Sequence, residues 1–318
     1  MRKQQNFQQP IFTQNTYAGE FAGKYIAAAL LSAKTLDNQY ITIMPNVKYK
    51  SVIQSVAVDS IVNDASCNFT TSGTVALSER ILEPKELQVN LELCKQEFVD
   101  SWEALQLGYS AFDEIPKDFN DFLISYVGGK VAQATEESIW RGTAATNGQF
   151  QGIYTALSSS VVAGGATAPV TSSVSGSITS ANVLTALNAL VDAIPATVYG
   201  KEDVMIYVPT NVVKAYQQAL SGGTAGANGW NNQMNVGEKP LNFQGIELAF
   251  CPGLGASAMV AAQKSNLYFG TGLLSDHNEV RVLDMANLDG SQNYRIIMRY
   301  TAGTQYGIGS DIAIHKNY

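Results

Sequence analysis

The feature that most constrains this chain is a long run of regularly spaced apolar residues between positions 112 and 141. These residues recur every three or four positions, which is the period of one face of an α-helix and not of a strand. They are Phe112, Ile115, Phe119, Phe122, Leu123, Tyr126, Val127, Val131, Ala134 and Ile139. Pro116 suits a first helical turn, and Arg141 followed by Gly142 supplies a cation and a stop. We therefore predict a helix over residues 117–141, about 38 Å long at about 1.5 Å per residue.

Two glycines, Gly128 and Gly129, lie in the middle of this predicted helix. Each costs a helix about 1 kcal/mol relative to alanine, so tertiary packing has to stabilise that segment. A helix of this length also exceeds the usual size in globular proteins. We call it the spine helix, because we expect the rest of the chain to pack around it.

The composition predicts an ordered chain with few charges. Its 318 residues can form one elaborate domain or two smaller ones. Hydrophobic residues make up 46% and charged residues 15%, against about 25% charged in typical soluble domains. Either other copies of the chain cover much of the surface, or Ser, Thr, Asn and Gln provide a neutral surface. The net charge of −7 argues against a protein that grips nucleic acid through its phosphates.

The sequence carries no pattern typical of secretion or membrane insertion. The apolar run at 25–31 is short and follows a polar stretch, and no run approaches the about 20 apolar residues of a membrane span. Cys67, Cys94 and Cys251 are scattered, so we interpret them as small buried hydrophobic residues and not as a disulfide framework or a metal site. These observations favour a soluble protein made in a reducing cytoplasm.

The first 95 residues are predicted to form an arm, a helix and a β ribbon. Residues 1–16 are rich in Gln and Asn and predict an extended or mobile arm, and residues 17–36 predict a helix. Strict alternation of apolar and polar residues from Leu87 to Leu93 predicts a half-buried strand. A less regular apolar run at 52–62 is its expected partner, with a turn at 70–73 and an extended segment at 74–77. Such a ribbon is marginal alone in water and needs a partner surface.

The remaining chain predicts an α+β arrangement. A helix is expected at 96–107, an irregular connector at 147–153, and either a loop or a hairpin at 158–180. Helices at 180–194, capped by Thr179 or Ser180, and at 211–220 flank a strand at 204–208, and a long polar loop follows at 222–240. Further strands are predicted at 246–250, 258–262, 267–269, 280–283, 294–300 and 308–314.

This order of elements resembles one known family. The resemblance is carried by ILEPKELQVNLELCKQEF in the ribbon, WRG at the end of the spine helix and VMIYVPTNVVKAYQQAL in the strand and helix beyond it. Short glycine-containing pieces, GQFQGI, FQGI and NLYFG, follow in the expected order. Together they resemble the major capsid protein of tailed double-stranded-DNA phages, the Hong Kong ninety-seven type of capsid fold.

The resemblance covers essentially the whole chain and implies five regions. They are an N-terminal arm and helix (1–39), an extended β loop (40–94), a peripheral domain with the spine helix (95–159), an axial domain (160–255) and strands that return to the peripheral and axial domains (256–318). Some family members carry a long N-terminal scaffold that is later removed. The about 40 residues before the β loop leave no room for it, so a separate scaffolding protein or a trimmed chain is implied.

The function implied by the resemblance is that of a structural virion protein and not an enzyme. Such a chain forms homopentamers and homohexamers that build an icosahedral head in the host bacterial cytoplasm, enclosing double-stranded DNA without tight specific binding and without a membrane. Scaffolding, portal and decoration proteins are the further partners implied. Two alternatives stay open: an encapsulin-type nanocompartment shell with a cargo-peptide groove near the N-terminal helix, and a soluble enzyme or binding module with an unrecognised site.

We predict no catalytic, cofactor-binding or metal-binding residue. His277 and His315 are interpreted as exposed turn histidines, since no GxSxG motif accompanies them. Gly253 and Gly255, like the glycines at 222–229, lack the Lys and Ser or Thr of a phosphate loop.

Several conspicuous side chains have structural interpretations. Glu136 and Glu137 diverge on a helix and are expected on a solvated face. Three aromatic residues without interleaved basic residues are expected in the core: Trp102, Tyr126 and Trp140. Three lysines are interpreted as solubilising groups, with no Lys–Asn crosslink predicted: Lys48, Lys50 and Lys85.

Overall fold

The computed structural model describes residues 34–58, 62, 64, 67, 75–94, 117–164, 168–172, 176–220, 241–272, 281–285, 290–291 and 293–316. The helices of this part are α1 (Lys34–Asp37), α2 (Lys117–Arg141), α3 (Ile153–Ala163), α4 (Val183–Asp192) and α5 (Thr210–Leu220). The predicted arm at 1–16, the helix at 96–107, the loop at 222–240, Trp102 and His277 lie outside the described residues. The helix predicted at 17–36 is described only from Lys34 onwards.

The spine helix is confirmed with the predicted bounds, as α2 (Lys117–Arg141). It continues through Gly128 and Gly129, and its buried residues include Val131, Ile139 and Trp140. Gly142 ends it, with its backbone N–H 3.1 Å from the carbonyl oxygen of Ser138. A Cβ at Gly142 would collide with the carbonyl oxygen of Phe150, so the chain can turn this tightly only at a glycine.

The first sheet is organised around the longest strand, β12 (Asn293–Tyr306). Its other members are β1 (Thr42–Met44), β4 (Lys85–Cys94), β10 (Leu267–Gly270) and β11 (Arg281–Asp284). β12 pairs antiparallel with β4 from Asn293 opposite Cys94 to Ala302 opposite Lys85, and also with β11 and β10. β1 adds to β10 in parallel.

A separate two-stranded ribbon consists of β2 (Ser51–Val58) and β3 (Val75–Leu82), paired antiparallel over their full lengths. We expected β2 to pair with the strand at 87–93, and that prediction was wrong, because that strand is β4 and pairs with β12. The physical reason is burial: Leu87 of β4 packs into the core, whereas Val52 and Val56 of β2 are exposed.

The second sheet has the strand order β5–β13–β9–β6–β8–β7. These strands are β5 (Val170–Ser172), β6 (Val204–Val208), β7 (Asn242–Phe243), β8 (Ile246–Phe250), β9 (Met259–Gln263) and β13 (Ala313–His315). The strand predicted at 204–208 and the helix at 211–220 are confirmed. The N-cap position of helix α4 is Asn182 and not Thr179 or Ser180, and its side chain caps no N–H of the helix; its Oδ1 accepts instead from the backbone N–H of the preceding Thr179 at 2.6 Å.

The segment at 158–180, left open between a loop and a hairpin, begins as a helix in its described residues. Its first six residues continue helix α3, which buries Ile153 and Leu157, and strand β5 follows. The run of serines at 158–160 obscured this helix, because serine has only a modest helix propensity. Packing of the Ile153 and Leu157 face stabilises the helix instead.

The two sheets share one hydrophobic core. Leu87 and Met298 of the first sheet, Trp140 of the spine helix, and Tyr207 and Val260 of the second sheet belong to the same buried cluster. A second cluster lies between the second sheet and helices α4 and α5. None of the helices in the described ranges is long and apolar enough to cross a membrane.

Candidate assembly surface

One face of the ribbon presents apolar side chains to solvent. Cross-strand partners point to the same side of a sheet, so the register places two apolar pairs on this face. They are Val52 with Ile81, exposed 49% and 51%, and Val56 with Leu77, exposed 57% and 71%. Between these pairs lies a polar pair, in which Gln54 Nε2 donates to Glu79 Oε1 at 3.2 Å. We call these six residues the outward face.

The opposite face of the ribbon is anchored to the body at its root. Leu82 is fully buried and packs so closely on Gly270 that a Cβ there would lie 2.7 Å from the Leu82 Cδ2. The Arg80 guanidinium lies 4.0 Å from the ring centroid of Tyr306, a distance typical of cation–π contact. In addition, Gln305 Nε2 donates to the Ile81 carbonyl at 2.8 Å. These contacts fix the root and leave the outward face exposed.

One lysine near the root does more than solubilise the chain. The Lys85 Nζ donates to the carbonyl oxygens of Ala144, Thr146 and Gln149 at 3.3, 3.4 and 2.8 Å. It therefore connects the start of β4 to the turns that follow the spine helix. The solubilising interpretation was wrong for Lys85, because these three carbonyls converge on its ammonium group.

The other two lysines differ from each other. Lys50 forms an ion pair with Glu83, with 3.2 Å between Nζ and Oε2, while both side chains stay partly exposed. Pairs of this kind contribute little to stability, about 0–1 kcal/mol. Lys48 is exposed, as the solubilising interpretation expects.

A buried carboxyl group joins three segments of the body. Glu136 of the spine helix is fully buried and accepts from the Thr35 backbone N–H at 3.1 Å and the Thr35 Oγ1 at 2.6 Å. The Trp140 Nε1 donates to the same Oγ1 at 3.0 Å. Glu136 and Glu137 do diverge, and Glu137 is exposed, but the prediction of a solvated face was wrong for Glu136. Trp140 is fully buried, as expected.

Burial dominates the electrostatics of this junction. It raises the pKa of the Glu136 carboxyl, while hydrogen bonds from Thr35, from the Gly253 backbone N–H and from Trp140 oppose that shift. Burial also raises the pKa of the nearby Cys251 thiol, and the Glu136 charge adds to that effect.

The three cysteines have different environments. Cys251 is fully buried, as expected, Cys94 is half-buried, and Cys67 is exposed, contrary to the prediction. All three are free thiols. Within the described ranges, His, Cys, Asp and Glu side chains do not gather in groups of three that could hold a metal.

The glycines at 253 and 255 serve close packing. Gly253 lies in a 3₁₀ turn, Pro252–Leu254, and a Cβ there would collide with the Glu136 carbonyl oxygen. A Cβ at Gly255 would lie 2.7 Å from the Arg141 Cδ. The turn therefore packs directly on the last turns of the spine helix.

The prediction that His315 is an exposed turn histidine was wrong. This residue is fully buried in β13, with its Nδ1 3.3 Å from the Ser172 Oγ, and its carbonyl accepts from the Tyr154 hydroxyl at 3.4 Å. In the described part of the chain its Nε2 has no hydrogen-bond partner. Burial lowers the pKa of His315, which favours a neutral ring packed in the interior.

Thr35 and Lys85 are connecting residues that no sequence pattern predicted. Thr35 lies 101 positions from Glu136, and Lys85 is 59 to 64 positions from its three carbonyls. Both contacts join residues far apart in the chain and have no local signature, so no signal in the sequence could have revealed them.

Comparison with known proteins shows similarity at the level of structure. No family model matches the chain, and no curated protein does either. A structure described as the capsid of a native GTA particle computed with C5 symmetry matches with a TM-score of 0.63 and 15% identity, over 98% of this chain and 95% of that one. A structure from Mycobacterium phage Adephagia matches with a TM-score of 0.58 and 12% identity, over 96% and 95%.

The capsid of Myoviridae phage XM1 matches with a TM-score of 0.56 and 10% identity, over 98% of this chain and 97% of that one. At identities this low, the structural matches establish the fold alone. Their coverage shows that the likeness extends along nearly the whole chain. It agrees with the element order in the sequence and with the α+β architecture. The chain has the fold of the tailed-phage capsid proteins.

Proposed function

We propose that this chain is the major capsid protein of a tailed phage. Copies assemble as pentamers and hexamers into an icosahedral head that encloses the double-stranded DNA genome, and the virion is its destination after assembly in the host cytoplasm. The observation that supports this most strongly is similarity to capsid structures over nearly the whole length of both chains. On this proposal the role is structural and not enzymatic.

The outward face of the ribbon provides the contact between copies. Exposed apolar pairs on a two-stranded ribbon are costly in a monomer, since the ribbon has little core of its own. Burying Val52, Val56, Leu77 and Ile81 against a neighbouring subunit removes that cost. The anchored root holds the ribbon in place before the neighbour arrives, which reduces the entropy lost on docking.

The other regions have complementary roles. The axial domain, 160–255, packs around the capsomer centre with the loop at 222–240 near the axis, and the arm at 1–16 ties adjacent capsomers. The peripheral domain, 95–159, carries the spine helix, and the β loop, 40–94, carries the ribbon. As DNA fills the shell, subunits rearrange largely as rigid bodies. The continuous core between the two sheets supports such motion of the body.

The acidic balance suits a wall that encloses DNA. With a net charge of −7, the chain as a whole does not attract phosphates, so the genome can move past it during packaging. Scaffolding, portal and decoration proteins are the additional partners of such a shell.

Electron microscopy of the purified protein, with its mass measured by light scattering, tests the proposal. We expect uniform icosahedral shells or capsomer rings, alone or with a scaffolding protein. A particle filled with enzymes instead of DNA would identify a nanocompartment shell. A monomer or small dimer that never assembles under any of these conditions contradicts both.

A further inference from the structure

A strap of eleven residues, 34–44, contacts the spine helix and both sheets. Thr35 binds the spine helix through Glu136, and the backbone carbonyl of Tyr40 accepts from the Tyr207 hydroxyl of the second sheet at 2.7 Å. Thr42 donates to the Lys264 carbonyl at 3.1 Å, and β1 pairs with β10 of the first sheet. The strap is the segment through which residues 1–33 join the body.

We propose that Glu136 is a proton-sensitive latch that fastens this strap to the spine helix and to the Pro252–Leu254 turn. Three segments distant in sequence meet at this one side chain and its own carbonyl. The tightness of the strap then depends on whether a single buried carboxyl group is neutral or ionised.

The geometry provides for both states. When ionised, Glu136 accepts from the Thr35 N–H and the Thr35 hydroxyl. When neutral, it still accepts from the Thr35 N–H, and it donates its own proton to the Thr35 Oγ1, 2.6 Å away. The ionised state carries the larger desolvation cost, because the group is fully buried.

Three of the groups around the junction do not titrate in place of Glu136. The titratable and charged residues around the junction are Lys34, Tyr40, Tyr207, Glu247 and Cys251. The Lys34 ammonium lies 4.6 Å from the Phe250 ring centroid, and Glu137 is exposed on the helix. Burial raises the pKa of Tyr40, Tyr207 and Cys251, so these three stay neutral between about pH 5 and 8.

The sign of the effect follows from the raised pKa of Glu136. A carboxyl whose pKa is higher in the folded state holds its proton more tightly there, so its contribution is fully present at low pH. That contribution is lost as the pH rises from the ordinary glutamate value through the raised one. The latch is therefore tighter when protonated, and neutral pH loosens the strap.

Amide hydrogen exchange of residues 34–44, corrected for intrinsic rates and measured on unassembled subunits from pH 5 to 8, tests the latch. In the native protein we expect protection of the strap to fall with rising pH, by up to about tenfold for each pH unit that separates the folded and unfolded pKa values. Glu136→Gln mimics the neutral group and should make that protection independent of pH. Glu137→Gln removes a charge from the next, exposed position and should leave the native profile unchanged.

Two results would overturn the latch: a Glu136→Gln profile that keeps the native pH dependence, or a Glu137→Gln profile that loses it as well. Thr35→Val offers a second test, since it leaves the carboxyl in place and removes one of its hydrogen-bond donors. Because the Thr35 hydroxyl lowers the pKa of Glu136, its loss should extend the fall in protection to higher pH, and an unchanged profile would also count against the latch. Since the subunits are unassembled, these outcomes are independent of the proposed shell.

Discussion

The outward face of the ribbon and the junction at Glu136 reverse the usual distribution of polar and apolar groups. The ribbon exposes Val56 and Leu77, while the spine helix buries a carboxyl group without exposing any of it. The buried carboxyl is compensated within the chain, by hydrogen bonds from Thr35. No such compensation for the apolar pairs is found within the described residues, and we propose that a second copy supplies it. An unfavourable group therefore points either to a contact inside the fold or to one between subunits.

Making the outward face polar tests the intermolecular side of this comparison and should have the largest effect. Leu77→Asp places a charge in the proposed interface, where burying an apolar side chain contributes about 1.5–3 kcal/mol per copy. We expect assembly to be abolished and the subunit to keep its thermal unfolding temperature. Light scattering and electron microscopy check the first outcome, and calorimetry the second.

Val162→Asp is the matched control, because Val162 is 77% exposed but belongs to helix α3 and not to the ribbon. It should leave assembly intact. If the two variants assemble equally well, the outward face is not the contact between copies.

Removing the buried carboxyl tests the intramolecular side. Glu136→Ala leaves the Thr35 N–H and hydroxyl without their acceptor and opens a cavity, so we expect the free energy of unfolding to fall by about 3 kcal/mol. Glu137→Ala, at the exposed neighbouring position, should change it by less than about 0.5 kcal/mol. Urea denaturation at pH 7 measures both. Similar losses in the two variants would mean that the junction does not stabilise the fold.

A smaller effect is expected at the root of the ribbon. Lys85→Met keeps the length of the side chain but removes its three contacts with backbone carbonyls, at a cost of about 1–2 kcal/mol because the group is partly exposed. Lys48→Met, at an exposed position, serves as the control and should be nearly neutral. Chemical denaturation of the subunit distinguishes the two variants. Equal stabilities would mean that Lys85 serves only to solubilise the chain.

The smallest effect is the pH response of His315. Because burial lowers the pKa of this histidine, the folded state holds the proton less tightly than the unfolded chain. Its stabilising contribution is present above the ordinary histidine value of about 6.5 and is lost as the pH falls, by about 1.4 kcal/mol for each pH unit between the unfolded and folded pKa values. His315→Gln should flatten the decline of the unfolding temperature between pH 7 and 5. A variant that declines as steeply as the native protein would exclude this role.

Local patterns predicted much of the fold. The spine helix, the strand at 204–208 and the helix at 211–220 agree with their predicted positions because period, caps and glycine stops lie within a few residues of one another. Helix α3 was not predicted from the sequence, since its serines weaken the local helical pattern and its stability comes from packing. The predicted partner of β4 was wrong for a related reason. Alternation predicts a strand but not the strand opposite it, and β12 lies about 200 residues further along the chain.

The sequence by itself determined where the spine helix, the strand at 204–208 and the helix at 211–220 form, the order of the main elements and, through that order, the resemblance to tailed-phage capsid proteins. Those features depend on interactions between residues close in the chain. Only the tertiary structure decided that Glu136 is buried while Glu137 is exposed, that Lys85 holds the turns after the spine helix, and that His315 lies in the interior. Each of those outcomes depends on which distant segment packs against a side chain. The spacing of neighbouring residues in the sequence does not indicate which segment that is.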